Sequence, residues 1–245
     1  MRHLALWARS AFNPDKAYTA TGLGDRIHAC TVAWCYGAPV TLHVTGEQYS
    51  GGQFNNKPES WAEICGLFPE GAVTIQPHSV HGLTDAQWQV HLGPDVQMYH
   101  YVDFDIGQTR PLDISQYLKD IPLLQPKLRC KHWRREYIEL PAEYITAQWD
   151  TSAGRTIANP GRIQDKYGLP VVVIGGQARS YDLRWSLMHI AYVLAHAQMH
   201  IGADSAFMHM AQLYLPPERI HIYTQSQTHH VKRAVARGAK LNPYA

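Results

Sequence analysis

An α/β fold built from parallel sheets with helices on both faces, divided into two lobes, is what this sequence predicts. Three observations carry the prediction. Strand-like and helix-like segments alternate along the chain, which favours parallel pairing through helical crossovers. Val171-Val172-Val173-Ile174 is apolar without alternation, as in a strand covered on both faces. Residues 103–142 are irregular and proline-rich, and they separate two alternating halves. The lobes are therefore drawn at residues 1–125 and 126–245.

The elements follow in order. Residues 4–8 read as a strand, followed by a long polar loop up to Gly22. From Gly24 onward, Ile27, Cys30 and Trp34 recur at helical spacing until Gly37-Ala38-Pro39 stops the helix. Residues 40–45 are the next strand. Residues 47–56 are rich in Gly, Gln and Asn, too polar to pack. Residues 58–68 form a short amphipathic helix with Trp61, Ile64 and Cys65 on one side. Residues 73–76 and 96–102 are further strands. In the second half, strands are expected at 144–149, 171–175, 199–201 and 220–223. Helices are expected at 183–197, 204–214 and 230–239, with Asp204 as N-cap of the second of these. No internal repeat is visible.

Composition bounds the classes of function. The 245 residues are 45% hydrophobic, enough for one large domain or two small ones. The most apolar stretch, 186–202, is interrupted by His189, His196 and His200, so no membrane span is expected. The opening apolar segment is too short for a signal peptide. Four cysteines at irregular spacing read as reduced thiols of a cytoplasmic protein. A net charge of +2 does not by itself point to nucleic acid. There are 15 histidines, yet none shows metal-ligand spacing. His196 and His200 straddle a helix end, and His229 and His230 are adjacent and point apart. No metal site and no cofactor are expected.

Two glycine-containing turns lead into helices, one in each half: Thr21-Gly22-Leu23-Gly24-Asp25-Arg26-Ile27-His28 and Gly202-Ala203-Asp204-Ser205-Ala206-Phe207-Met208-His209. Unpaired N–H groups gather at such helix starts and attract anions. The pair suggests a phosphate-bearing ligand held between two lobes. The segment 194–211, with Gly202-Ala203-Asp204-Ser205-Ala206 and His209, resembles the donor-site segment of the ADP-heptose:lipopolysaccharide heptosyltransferases. That family carries Asn-Asp-Ser/Thr-Gly-x-x-His-x-Ala there. Gly24-Asp25-Arg26-Ile27-His28 is similar to the family's N-terminal Gly-Asp-hydrophobic loop. The match spans roughly residues 20–45 and 143–225. Ala203 stands where the family has Asn, and Ala206 where it has Gly. The loop before Gly22 is longer, and the chain is shorter than a typical member.

The resemblance implies a GT-B fold, two Rossmann-like lobes facing across a cleft, with the N-terminal lobe reduced. It implies inverting transfer of a sugar from a nucleotide-diphosphate donor to a hydroxyl acceptor, without an essential metal. Such a reaction needs a base for the acceptor hydroxyl and donors for the leaving diphosphate. Asp25 matches the family's proposed base; it could equally offset the positive end of the helix dipole. His28, three residues on, could orient Asp25 or the acceptor, or simply be solvated. Gly24 permits close approach. Ser205 and the N–H groups of Ser205, Ala206 and Phe207 would hold the β-phosphate, with Asp204 orienting them. His209, one turn on, could donate to phosphate.

Arg155 resembles the family's phosphate-binding Lys position, and its fork suits a diphosphate; it could also be a surface arginine. Gly175 and Gly176 could pass near the nucleotide base or merely turn the chain. The basic run 127–135, with Arg134 and Arg135, could meet an anionic glycan or a phosphate backbone, or be a solvated linker. Two further classes stay open: a nucleotide-sugar hydrolase or epimerase, and a non-catalytic nucleotide-sugar-binding module.

Overall fold

The computed structural model describes residues 2–10, 13–18, 23–45, 58–78, 85–100, 117–127, 132–133, 136–137, 140–148, 160–174, 186–224 and 228–242. The chain divides into two units, Met1–Ile121 and Pro122–Ala245.

In the first unit the elements are β1 (Arg2–Ser10), β2 (Asn13–Tyr18), α1 (Leu23–Gly37), β3 (Val40–Thr45), α2 (Pro58–Cys65), β4 (Val73–His78), α3 (Asp85–Leu92) and β5 (Gln97–His100). The parallel strands lie in the order β5-β1-β3-β4, and β2 pairs antiparallel with the far end of β1. In chain order this is the 3-2-1-4 arrangement of a Rossmann-like half.

β3 shows how the sequence builds this sheet. Val40, Leu42 and Val44 are buried, and α1 packs against β1, β3 and β4. Thr41 and His43 point to the opposite face, as a two-residue period requires. From α1, Ile27, Ala29, Cys30, Val32 and Ala33 are all fully buried. Burying each larger apolar side chain is worth about 1.5–3 kcal/mol. α1 ends at Gly37, whose φ of +140° only glycine adopts without strain. A Cβ there would also collide with the Arg2 guanidinium.

α2 lies against α1 and β4. The Cys30 thiol of α1 is hydrogen-bonded to Cys65 of α2; burial pushes Cys30 well up, while that bond draws Cys65 down. Both are free thiols.

In the second unit the elements are a small hairpin of β6 (His132–Trp133) and β7 (Glu136–Tyr137), then β8 (Ile145–Ala147), α4 (Pro160–Tyr167), β9 (Val171–Val173), α5 (Leu187–Ala195), β10 (Met199–Gly202), α6 (Ala206–Tyr214), β11 (Ile220–Tyr223), α7 (His229–Ala236) and β12 (Lys240–Asn242). β8 to β12 form one parallel sheet in the order β12-β11-β10-β8-β9. In chain order that is 2-1-3-4-5, the other doubly wound arrangement. Ile145, Ala147 and Ile201 pack with Ile163 of α4 on one face. With right-handed crossovers, α5 and α6 take the other. α6 is covered almost all round, from Met208 to Tyr214. The N–H of Leu124 donates to the Leu213 carbonyl at 2.7 Å, which ties the residues after 121 to α6.

Several expectations are corrected. The loop after the first strand contains β2, because Tyr18 and Ala17 pair with the adjacent Ala8 and Arg9 whatever their polarity. α3 and α4 carry too few apolar residues to show a stripe: Val90 of α3 is 82% exposed, and in α4 Ile163 is the residue that is buried. Pro160 at the start of α4 was its legible signal. The helix expected at 183–197 runs Leu187–Ala195, with Ser186 as its cap. The last helix ends at Ala236, and the chain turns through Gly238 into the edge strand β12. Among the described residues, no helix is long and apolar enough to cross a membrane.

Candidate functional site in the second unit

The crossovers leaving β8 and those leaving β10 run in opposite directions across the sheet. This makes the carboxyl ends of β8 and β10 a topological switch point, where open α/β sheets leave a crevice for ligands. Gln148 follows β8, and its N–H still pairs with the Ile201 carbonyl at 2.9 Å. Gly202-Ala203-Asp204-Ser205 leads from β10 into α6. The Ser205 hydroxyl donates to Gln148 Oε1, so the two strand ends are joined by a side-chain bond across the switch point.

Ser205 is the residue preceding α6, in extended backbone (φ −157°, ψ 174°), and its side chain does not cap the helix. The first-turn N–H groups of α6 thus receive no serine cap, and the positive end of the helix dipole opens on the switch point. Ser205, Ala206 and Phe207 are part-exposed there.

The role expected of Asp204 is corrected. It does not cap α6, which begins at Ala206. Its Oδ2 instead accepts a 2.5 Å hydrogen bond from the Thr228 hydroxyl, and Thr228 caps α7 by accepting from the Val231 N–H at 3.3 Å. A carboxylate beside a helix start is stabilised by the dipole; here it is also bonded to the neighbouring helix cap. His209 is buried, with its ring edge-on to His230 of α7 at 4.8 Å and 88°.

Behind this surface sits His200, fully buried in β10. Thr146 Oγ1 donates to the Met199 carbonyl at 3.2 Å, which leaves it to accept from His200 Nδ1–H at 3.1 Å. His200 Nε2 therefore carries the lone pair, and it has no hydrogen-bond partner. Burial pushes the His200 pKa down to about 3, so the ring is neutral. Gly202 lies two residues along on the same face. A Cβ at Gly202 would stand 2.6 Å from His200 Nε2 and 3.5 Å from Gln148 Cβ. Gly202→Ala is thus expected to destabilise the protein by about 1–3 kcal/mol, the usual cost of overpacking. Denaturant unfolding checks this, and the same change in a His200→Ala background should cost less, because the clash partner is gone.

Gly24, Asp25 and His28 are in α1 of the first unit. Gly24 is half-buried; the side chain of Asp25 lies outside the described residues. His28 is 6% exposed, which corrects the reading of a solvated histidine. Arg155, Gly175, Arg134 and Arg135 lie outside the described residues. Sequence reasoning missed Gln148, Thr146, His200 and Thr228. The legible signal was a histidine two residues before a strand-ending glycine, both on one face. It also missed Arg26, which is fully buried with its guanidinium 5.8 Å above the Trp61 ring.

No known family model matches the sequence, and no curated protein does. Among solved structures, the fold is similar to that of the bacterial iron-containing dodecameric glycosyltransferase TibC from enterotoxigenic E. coli H10407. The two are 13% identical, with a TM-score of 0.48 over 91% of this chain and 58% of that one. The chain thus spans less than two thirds of that structure's length.

Proposed function

We propose that this mixed α/β protein with Rossmann-like parallel sheets is an inverting glycosyltransferase of the GT-B type. It would move a sugar from a nucleotide-diphosphate donor to a hydroxyl acceptor. The observation that carries the reading is the switch point of the second sheet. There the open amino end of α6, the Ser205 hydroxyl and the close-packed Gly202 meet at the carboxyl ends of β8 and β10. N–H groups at a helix start suit a diphosphate, and they stabilise the charge that develops on it as the glycosidic bond breaks.

The remaining roles rest on the family resemblance. Asp25 removes the acceptor proton as the hydroxyl attacks the anomeric carbon, and His28 steadies Asp25 or the acceptor. Arg155 grips the diphosphate, Gly175 passes by the nucleotide base, and Arg134 and Arg135 favour an anionic acceptor. Charge stabilisation by N–H groups and arginine makes an essential metal unnecessary in this scheme. The reduced cysteines suit a cytoplasmic setting.

Ser205→Ala and Arg155→Ala should each weaken binding of a nucleotide-diphosphate sugar about 5- to 150-fold, the loss of one hydrogen bond to a charged group. A panel of such sugars read by thermal shift identifies the donor, since a ligand selective for the native state raises apparent stability. Unchanged affinity in both variants refutes the donor assignment. Donor hydrolysis without acceptor favours the hydrolase or epimerase reading, and binding without turnover favours the binding module.

A further inference from the structure

Helices α1 and α2 of the first unit meet along two rungs, one helical turn apart. Arg26 and Cys30 are four apart on α1, and Trp61 and Cys65 are four apart on α2, so each pair shares one side of its helix. In the first rung the Arg26 guanidinium lies 5.8 Å from the centre of the Trp61 ring. In the second, the Cys30 and Cys65 side chains are hydrogen-bonded thiol to thiol. Arg26 and Cys30 are fully buried, Trp61 nearly so, and Cys65 is part-exposed. Both thiols are free.

We propose that Cys30 and Cys65 form an oxidative modification site, in which a hydroperoxide oxidises Cys65 and Cys30 then closes a disulfide between α1 and α2.

The two thiols are unlike, and the difference assigns their roles. Cys30 is enclosed, and burial raises its thiol well above the usual range. Cys65 has solvent on one side and accepts the Cys30 S–H, which lowers it. A thiolate, not a thiol, is the nucleophile. The sulfur that a small oxidant reaches is thus also the one that more readily carries the charge. Arg26 acts on Cys30 against burial, because its positive charge favours a thiolate there. That helps the second step, in which Cys30 must lose its proton.

The atoms and electrons balance. The Cys65 thiolate attacks one oxygen of the hydroperoxide and the O–O bond breaks. The other oxygen leaves with a proton, as water when the oxidant is hydrogen peroxide, and Cys65 becomes a sulfenic acid. Cys30 then gives up its proton and its sulfur attacks Cys65 Sγ. The S–O bond breaks, the hydroxyl leaves with a proton as water, and the S–S bond forms. The two thiols lose two electrons, and the peroxide gains them. The sulfurs are already in hydrogen-bond contact, so turning the side chains brings them toward the bonding distance of about 2.05 Å. The closed bridge ties the eight residues of α2 to α1.

The test treats the whole protein with hydrogen peroxide and maps its four cysteines by mass. Chymotryptic cleavage after Trp34 separates Cys30 from Cys35. A Cys30–Cys65 bridge, two hydrogens lighter and reopened by a reducing thiol, is the expected product. Four surviving thiols, or a bridge through Cys35 or Cys130, overturns the proposal. In Cys30→Ser the sulfenic acid on Cys65 has no thiol to close on and should be captured by dimedone; no adduct at Cys65 overturns its role as the attacking sulfur. Without peroxide, iodoacetamide should label Cys65 about threefold more slowly in Cys30→Ala than in Cys30→Ser, because serine still donates a hydrogen bond and alanine cannot. That figure is a tenfold loss of thiolate partly offset by its greater nucleophilicity. Equal rates would mean that the contact does not activate Cys65. The wild-type map decides if the variants fail to fold.

Discussion

Asp25→Asn is expected to cut sugar transfer about 10²–10⁴-fold, the weight of a positioned proton acceptor, while donor affinity and the unfolding midpoint stay at their wild-type values. Asparagine keeps the size and shape of aspartate but cannot take a proton. Asp25 is the third residue of α1, in the first turn, where a carboxylate also interacts with the helix dipole. That contribution is about 0.3–1 kcal/mol, too small to account for such a loss of rate and visible instead as a shift in stability. Turnover and denaturant midpoint, measured on the same preparation, separate the two roles. Full activity in the variant would assign the base to another residue, with His28 the next to test. A drop in stability with no change in rate would leave Asp25 as a helix-start residue only.

The second large effect is on acid stability, through His200. Its pKa is about 3 in the folded protein, against about 6.5 in an unfolded chain. The folded value is depressed, so the unfolded state binds the proton first as pH falls. The contribution is fully present above about pH 6.5 and is lost as pH drops toward about 3, at up to about 1.4 kcal/mol per pH unit. The total is on the order of 5 kcal/mol. His200→Leu should remove this slope, because leucine fills much of the space and Thr146 keeps its bond to the Met199 carbonyl. Unfolding free energies of wild type and variant, compared from neutral to acid pH, should converge as pH falls. Parallel curves would mean that His200 is not neutral in the fold. His43, depressed in the same direction, adds a smaller slope of the same sign in the first unit.

Much of the architecture was legible because it rests on local periodicity. Ile27, Cys30 and Trp34 marked α1, alternation marked β3, and the unbroken run at Val171 marked a covered strand. Each signal depends on neighbours in sequence, and a buried stripe or face leaves it in the residues themselves. α3 and α4 were not legible, because most of their residues face water and water imposes no period. β2 was hidden because an antiparallel hairpin extension needs only backbone pairing.

The candidate site was legible in part. Ser205 and the turn before α6 were found from a glycine and a helix start. The meaning of Asp204 was not, because its partner, Thr228, is 24 residues away and becomes a neighbour only through parallel pairing of β10 with β11. Gln148 and Ser205 are 57 residues apart, and they meet because β8 and β10 are adjacent in the sheet although β9 lies between them in the chain.

The sequence by itself determined the class of the protein: alternating strands and helices, parallel sheets and glycine-led helix starts in each half. It did so because apolar period, turn chemistry and capping are short-range and are written residue by residue. Strand order was decided only in the tertiary structure, since 3-2-1-4 and 2-1-3-4-5 sheets demand the same local patterns. With strand order came the switch point and the neutral His200 behind it. Each of these depends on which side chains the sheet brings within about 3 Å of one another, a hydrogen-bond distance that no sequence spacing encodes.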